Sequence, residues 1–502
     1  MTDEGWGAFL LRDMPQIGIT QYYMYFKNVF QGNIFAVRLG TIFMELLGSF
    51  LFSYGLFSFF KNRLSLTLKD FFVILSFSFF SMFGVLSMYI YYGSMTKFVM
   101  FMAIGFILCG FSVSQPWIEK TCIIFSGLFL GTIFFIMPTN FPIIFFATLL
   151  IYFLTENQKR FHNICLLLIG VFSSILFYFV FIESFSVYMN GFQKAISITV
   201  NDQFDDNHGL SSIIQWCKKT ILFFFKDVFT GVLVLYGIGY LSEHYKSITA
   251  KIILLLYLII FLIAFLKYYP HPTTEPFYIV FLFLFLSNCI TDVLKNRKKE
   301  FFLFTFIFIT PVICSLGTDL SFELRSYPFV SLLLPVIYIL IIDAYRKQIY
   351  YILFIILCSL YFFHNIFGYN RTNWADVVYT EQTNLIQPLT GQYLYLDAAK
   401  YQIINELKSM IHPEDYVIFN STEFWGYAYL LETKPVSYSW RFNEEKILQE
   451  ISENKKNIQS VKCLCFKDST FDPVFLENVK SKIAAHSIVK YELSSIIVYI
   501  CQ

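Results

Sequence analysis

Asp3 and Glu4 stand side by side ahead of an apolar and aromatic stretch, Leu10 to Asn33. Such a stretch lies in a membrane interface with its rings at headgroup level. It would hold the two carboxylates just outside the bilayer, where a carboxylate can deprotonate an acceptor hydroxyl. A frayed, solvated terminus is the other reading of the same residues.

Three further segments carry groups of this kind. Arg325 is the only Lys or Arg between Gly317 and Pro328, a segment that also holds Asp319, Glu323 and Tyr327. An Arg beside an apolar span seeks an anion, and its planar fork suits a phosphate. A pair with Glu323 or a lipid headgroup would satisfy it as well. Tyr268 to Pro276 presents His271 and Glu275 on a turn holding three prolines, each with a fixed φ; a plain interhelical turn is the alternative. The segment 184–219 holds Asp202, Asp205, Asp206 and His208, then Lys218 and Lys219. It reads as a lid over a membrane-level cavity, or as a solvated loop tip. Inside apolar runs stand Arg38, Glu45 and Asp227, the last beside Lys226. Each either packs within a bundle or lines a cavity.

The elements that must position these groups are apolar. The chain has 502 residues, 57% hydrophobic and 14% charged, against about 25% charged in a soluble protein. That excludes a soluble enzyme, a disordered chain and a basic nucleic-acid binder; the net charge of +2 implies no strongly charged partner. Twelve runs approach the length of a bilayer span: 37–60, 71–92, 98–114, 121–137, 143–154, 163–182, 220–241, 249–267, 276–290, 301–316, 327–342 and 349–368. Pro138 and Pro142 split the short pair at 121–154, which could form a broken or re-entrant hairpin. The loops 61–70, 115–120, 155–162, 242–248, 291–300 and 343–348 hold 13 Lys and Arg in 47 residues. The loops 93–97, 138–142, 184–219, 268–275 and 317–326 hold 5 in 64. By the positive-inside rule the first set is cytoplasmic, and both termini lie outside.

From 369 to 502 the charged fraction rises to 22%, against 12% before it. This is a soluble domain with length enough for its own core. Leu394–Ile411 reads as a helix, Tyr416–Asn420 as a strand, Phe424–Leu431 as a helix and Val436–Trp440 as a strand. Asn443–Glu453 reads as a helix, Val461–Phe466 as a strand, Pro473–Ile483 as a helix and Ile488–Tyr499 as a closing hairpin. Alternating strands and helices predict a small α/β layer. Cys463 and Cys465, two apart on a strand, face one way and read as buried hydrophobes.

An early outer Asp-Glu, many spans, a long middle outer loop, a Gly-Thr-Asp…Arg loop and a terminal α/β domain resemble GT-C-type membrane glycosyltransferases. The likeness is strongest to bacterial relatives of protein O-mannosyltransferases and of the lipid A aminoarabinose transferase. It implies a polytopic helical protein of about 12 helices with a C-terminal extracytoplasmic α/β domain. The divisions are 1–36, a juxtamembrane segment with the acidic motif; 37–368, the membrane domain; and 369–502, the α/β domain. It implies transfer of a sugar from a polyprenyl-phosphate donor to a glycan, lipid or protein acceptor on the outer face of a bacterial inner membrane. It casts Asp3, with Glu4 beside it, as the catalytic carboxylate, and Arg325, then Lys218 or Lys219, as the donor-phosphate cation. Asp202, Asp205, His271, Glu275, Asp319 and Tyr327 become substrate-cavity candidates. No cofactor is expected, and a divalent metal is left open. In that group a helix precedes the acidic loop, whereas Met1 here stands two residues before Asp3. The expectation is a reading frame that starts further upstream; truncation is the alternative. A polysaccharide polymerase or ligase, and a transporter or flippase of lipid-linked glycans, are the competing readings.

Overall fold

The computed structural model describes residues 34–80, 92–138, 140–155, 159–190, 210–244, 275–289, 297–315, 329–344, 384–386, 394–396, 398–421, 424–436, 444–453, 458, 460–493 and 495–501. They divide between a helical unit and a C-terminal α/β unit.

The helical unit contains α1 (Ile34–Leu64), α2 (Leu68–Phe80), α3 (Tyr92–Ser112), α4 (Pro116–Ile136), α5 (Phe141–Thr155) and α6 (Arg160–Phe177). There follow α7 (Leu210–Leu222), α8 (Phe229–His244), α9 (Glu275–Cys289), α10 (Lys298–Ser315) and α11 (Val330–Ala344). Within the described residues Leu39–Leu64, Met95–Ser112, Pro116–Ile136 and Arg160–Ile182 are long and apolar enough to cross a membrane. They match the expected spans at 37–60, 98–114, 121–137 and 163–182. The expected span 71–92 shows only α2 among the described residues, while 249–267 and 349–368 lie outside them. The span expected at 220–241 belongs to a longer helical run, 210–244, in which Phe223–Val228 forms a wide π turn between α7 and α8. The 121–154 pair resolves into a full-length α4 and a shorter α5 rather than two short halves.

Local chemistry sets several ends. α1 stops where Ser65 turns left-handed, at φ 52°, and the Leu66 N–H returns to the Lys61 carbonyl at 3.1 Å. Thr67 then caps α2: its N–H and O–H both donate to Asp70 Oδ2 at 2.7 Å. Burial works to raise the Asp70 carboxyl, but the Thr67 bonds and one from Tyr338 outweigh it and hold the group below its usual range. Pro116 opens α4, where a missing N–H has no intrahelical acceptor to lose.

Glycines set the closest helix approaches. A Cβ on Gly127 would come within 2.2 Å of the Leu167 carbonyl oxygen, and one on Gly170 within 2.1 Å of that of Ile124. Gly127 and Gly131 form a GxxxG face on α4 against α6. Gly55 and Gly105 do the same for α1 and α3.

One end of this unit carries a belt of ion pairs. Arg63 meets Asp343 at 2.8 Å and Glu300 at 3.1 Å, and Arg297 meets Asp343 at 3.0 Å. Lys159 meets Glu119 at 3.2 Å, and Lys299 lies 5.0 Å from the centre of the Phe111 ring. These contacts bring residues from five of the six Lys- and Arg-rich loops to a common face.

The C-terminal unit begins with a hairpin of β1 (Asn384–Ile386) and β2 (Leu394–Leu396), then α12 (Ala398–Lys408). The helix expected over Leu394–Ile411 is therefore shorter, because Leu394–Leu396 pairs with β1 as a strand. β3 (Tyr416–Phe419), α13 (Phe424–Leu431), β4 (Lys434–Pro435), α14 (Glu444–Glu453), β5 (Val461–Phe466), α15 (Pro473–Ile483), β6 (Ile488–Glu492) and β7 (Ile496–Cys501) follow. The sheet order is β4-β3-β5-β7-β6, with β3 parallel to β4 and β5, and β7 antiparallel to β5 and β6. The strand expected over Val436–Trp440 sits earlier, at Lys434–Pro435, since a residue before proline is already extended. Val436 N–H extends that pairing to the Val417 carbonyl at 2.9 Å, and 437–440 lie outside the described residues.

Period-two alternation fills both faces of this sheet. Leu464, Ile496 and Val498 pack with Ile404 and Leu407 of α12 and Phe424 of α13. Val461, Cys463, Cys465, Ile497 and Cys501 pack with Ile451 of α14 and Phe475 and Val479 of α15. The unit is a three-layer α/β/α sandwich. Cys463 and Cys465 do face one way, into that second core. A hydrogen bond with Cys501, and then burial, push the Cys463 thiol far up, so it is no nucleophile. Lys462, buried on the same strand, is held by Asp415 and the Met410 carbonyl.

Candidate functional site

Among the described residues of the helical unit, the densest buried polar chemistry starts on α1. Thr41, Glu45, Ser49 and Ser53 recur every four residues, so they stack on one face of the helix, and all four are buried. Glu45 Oε1 pairs with Lys97 Nζ of α3 at 3.3 Å, and both residues are at least 96% buried. Lys97 also lies 6.0 Å from the centre of the Phe101 ring. Glu45 Oε2 is buried and accepts no hydrogen bond among the described residues. Further along, Ser49 donates to the Ser78 carbonyl at 3.2 Å and Ser53 to the Ser78 hydroxyl at 3.0 Å. The close approach at Gly55 and Gly105 is what brings α3 near enough for Lys97 to reach α1.

Depth follows from helix rise. Glu45 precedes Arg63 of the ionic belt on the same helix, about 27 Å along it at 1.5 Å per residue. That is close to the thickness of a bilayer core, so the pair sits near the face opposite the belt. The pair is neutral as a whole. Its spare capacity is one carboxylate oxygen, an acceptor for a hydroxyl or a water.

A second polar group lies at the far end of α6. The helix widens into a π turn at Tyr178–Ile182, and the Glu183 N–H closes it on the Tyr178 carbonyl at 3.0 Å. The Tyr178 hydroxyl donates to Glu183 Oε2 at 3.0 Å. Tyr178, Tyr188 and Phe135 are buried here, with Phe179 against all three. Burial raises the Glu183 carboxyl, partly opposed by the Tyr178 bond. Burial and the nearby Glu183 push the Tyr188 hydroxyl up to about 12.

The structure places a few of the residues singled out from sequence. Lys218 and Lys219 are exposed on α7, and neither has an ion-pair partner among the described residues. Lys226 is exposed and Asp227 half-buried in the π turn after α7. Glu275 opens α9, and Arg38 lies near the start of α1. Asp3, Glu4, Asp202, Asp205, His271, Asp319, Arg325 and Tyr327 lie outside the described residues. Among the described residues no group of three or more His, Cys, Asp or Glu gathers at metal-binding distance. Sequence reasoning singled out Glu45 without its partner, since Lys97 reads as the end of an outer loop. It passed over Glu183, whose only signal is a lone acid at the end of an apolar run.

No family model matches the chain, and no curated protein sequence matches it. Solved structures do. ArnT from Cupriavidus metallidurans in the apo state matches 99% of this chain and 93% of its own, at 11% identity and a TM-score of 0.43. The same protein bound to undecaprenyl phosphate matches 96% of this chain and 86% of its own, at 10% identity and a TM-score of 0.37. The archaeal oligosaccharyltransferase AglB from Archaeoglobus fulgidus, in complex with an inhibitory peptide and a dolichol-phosphate, matches at 11% identity and a TM-score of 0.39. That match covers 97% of this chain and 66% of AglB.

Proposed function

We propose that the protein is an integral-membrane glycosyltransferase that moves a sugar from a polyprenyl-phosphate donor to an acceptor on the extracytoplasmic face. The observation that carries the reading is the union, in one chain, of two parts. One is an apolar helical unit with ionised groups buried at the end away from its ionic belt; the other is a polar-surfaced α/β sandwich. A lipid-linked donor is presented at that depth, and a fixed charge in a dry site acts strongly on a leaving phosphate. In this reading Asp3, with Glu4 beside it, takes the proton of the acceptor hydroxyl. Arg325 balances the departing phosphate, with Lys218 and Lys219 as the lesser candidates. The acceptor oxygen, deprotonated by that one base, bonds to the anomeric carbon on the side opposite the departing phosphate and so inverts it. Asp202, Asp205, His271, Glu275, Asp319 and Tyr327 line the donor or acceptor cavity.

The test is direct. Membranes containing the protein receive a radiolabelled polyprenyl-phosphate sugar, and label is followed into acceptor. Transfer is expected in the wild type, with a loss of at least about a hundredfold in Asp3→Asn and in Arg325→Ala. Movement of the labelled lipid across the membrane with its sugar bond intact would favour a flippase and sink the reading.

A further inference from the structure

We propose that the outward face of α7 and of the π turn after it binds anionic phospholipids, with Lys218, Lys219 and Lys226 holding their phosphates. The helical run 210–244 has two unlike sides. Its inner side packs on α9: the Phe224 ring lies 5.3 Å from that of Tyr278, and a Cβ on Gly231 would collide with the Ile279 side chain. Its outer side is a stripe of Leu222, Phe225, Phe229 and Leu233, spaced at helical intervals and between 49% and 71% exposed. On a membrane-embedded helix such a stripe lies in lipid. The comparable stripes on α1 (Phe43, Leu47, Phe50) and α6 (Ile169, Phe172, Leu176) carry no Lys or Arg along those stretches. Here three exposed lysines flank the start of the stripe: Lys218 and Lys219 stand a turn before Leu222, and Lys226 a turn after it.

The nature of the partner follows from charge and depth. No Asp or Glu occurs from 210 to 226, and Asp227 is half-buried. Among the described residues none of the three lysines forms an ion pair. A lipid-facing ammonium is costly unless its stem carries it to the phosphate layer. Counted from His244 at the other end of the run, Lys226 lies about 27 Å along it and Lys218 about 39 Å, at 1.5 Å per residue. A bilayer core with both headgroup layers is about 40–45 Å thick, so these lysines bracket the headgroup layer opposite His244. The apolar stripe continues from them toward the membrane centre. The partner must therefore offer anions above acyl chains, which a phospholipid leaflet does and an acidic protein does not. A cation near an anionic leaflet gains about 1 kcal/mol, and three on one face add to a local preference. The proposal does not rest on the transferase reading, in which Lys218 and Lys219 are lesser candidates for the donor phosphate.

The test reads the lipid at this face alone. A photoreactive benzophenone side chain replaces Leu222 in the full-length protein. The protein is placed in vesicles of phosphatidylglycerol and phosphatidylcholine in equal amounts, with the same acyl chains. After illumination the attached lipid is identified by mass spectrometry. Phosphatidylglycerol is expected to be captured about tenfold more than phosphatidylcholine. The combined Lys218→Gln, Lys219→Gln and Lys226→Gln variant is expected to capture the two equally, and the combined Lys→Arg variant at the same positions to keep the preference. Equal capture without these substitutions, or a preference that survives in the Gln variant, overturns the proposal. So does capture that passes wholly to a polyprenyl phosphate added at about one-hundredth of the phosphatidylglycerol, which would assign the face to the sugar donor. Capture is read without any sugar transfer, so its failure and failure of the transferase assay are separate results.

Discussion

Lys97 and Glu45 each need the other, because a lone charge buried among apolar helices is far more costly than a matched pair. Removing one partner strands the second. Lys97→Met or Glu45→Leu alone is expected to destabilise the protein by about 3–5 kcal/mol. The double variant, with both charges gone, should recover most of that loss, which thermal unfolding in detergent would show. A double variant no more stable than either single one would mean that the pair has a role other than mutual compensation. Glu183 makes a different prediction. Its carboxyl is raised by burial, so the folded protein holds that proton more tightly than the unfolded chain does. Its contribution to stability therefore falls as pH rises from the ordinary carboxylate range through the raised value. Glu183→Gln, which mimics the protonated form, should flatten that part of the profile and melt above the wild type at pH 8 with no ligand added. Glu45 was legible in the sequence as an acid inside an apolar run. Lys97 was not, because its partner lies 52 positions away and only helix packing brings them together.

Helices α4 and α6 meet backbone to backbone at Gly127, Gly131 and Gly170, where any side chain would collide with a carbonyl of the facing helix. Gly127→Ile or Gly170→Ile must push the helices apart, and each is expected to cost about 2 kcal/mol or more. The displacement would reach Phe135 and Tyr178, whose rings stack at 3.8 Å between centres on these same two helices. Thermal unfolding would read the loss, and an unchanged midpoint would show that the helices can part without penalty. The elements themselves were readable where one physical rule dominates. Val461–Phe466 and Pro473–Ile483 fall where alternation and an N-terminal proline put them, with Asp472 capping the helix as its side chain accepts from the Val474 N–H at 2.9 Å. Where two rules compete, the pattern misled. Leu394-Tyr395-Leu396 fits a helical spacing, yet its pairing with Asn384–Ile386 makes it a strand. The helical run 210–244 was read as the end of the 184–219 segment plus a span from 220, because Lys218 and Lys219 end the apolar pattern while the helix runs on through them.

For the molecule as a whole, sidedness decides between readings. Arg63, Glu119, Lys159, Arg297, Glu300 and Asp343 gather at one end of the helical unit through their ion pairs. Loops at that end carry most of the Lys and Arg, which by the positive-inside rule predicts a cytoplasmic end. The proposed function requires the α/β unit to lie outside the cytoplasm. Lys120, at the start of α4, and Lys408, at the end of α12, are both exposed and suited to test this. In a background with the native cysteines replaced, Lys120→Cys and Lys408→Cys would each be treated with a membrane-impermeant maleimide in intact cells. Lys408→Cys is expected to label at once, and Lys120→Cys only after the membrane is opened. The reverse pattern would put the α/β unit in the cytoplasm, and Asp3 and Arg325, assigned to the same side, would go with it. A lipid-linked sugar presented at the outer leaflet could then reach none of these groups, and a cytoplasmic donor would have to be sought instead.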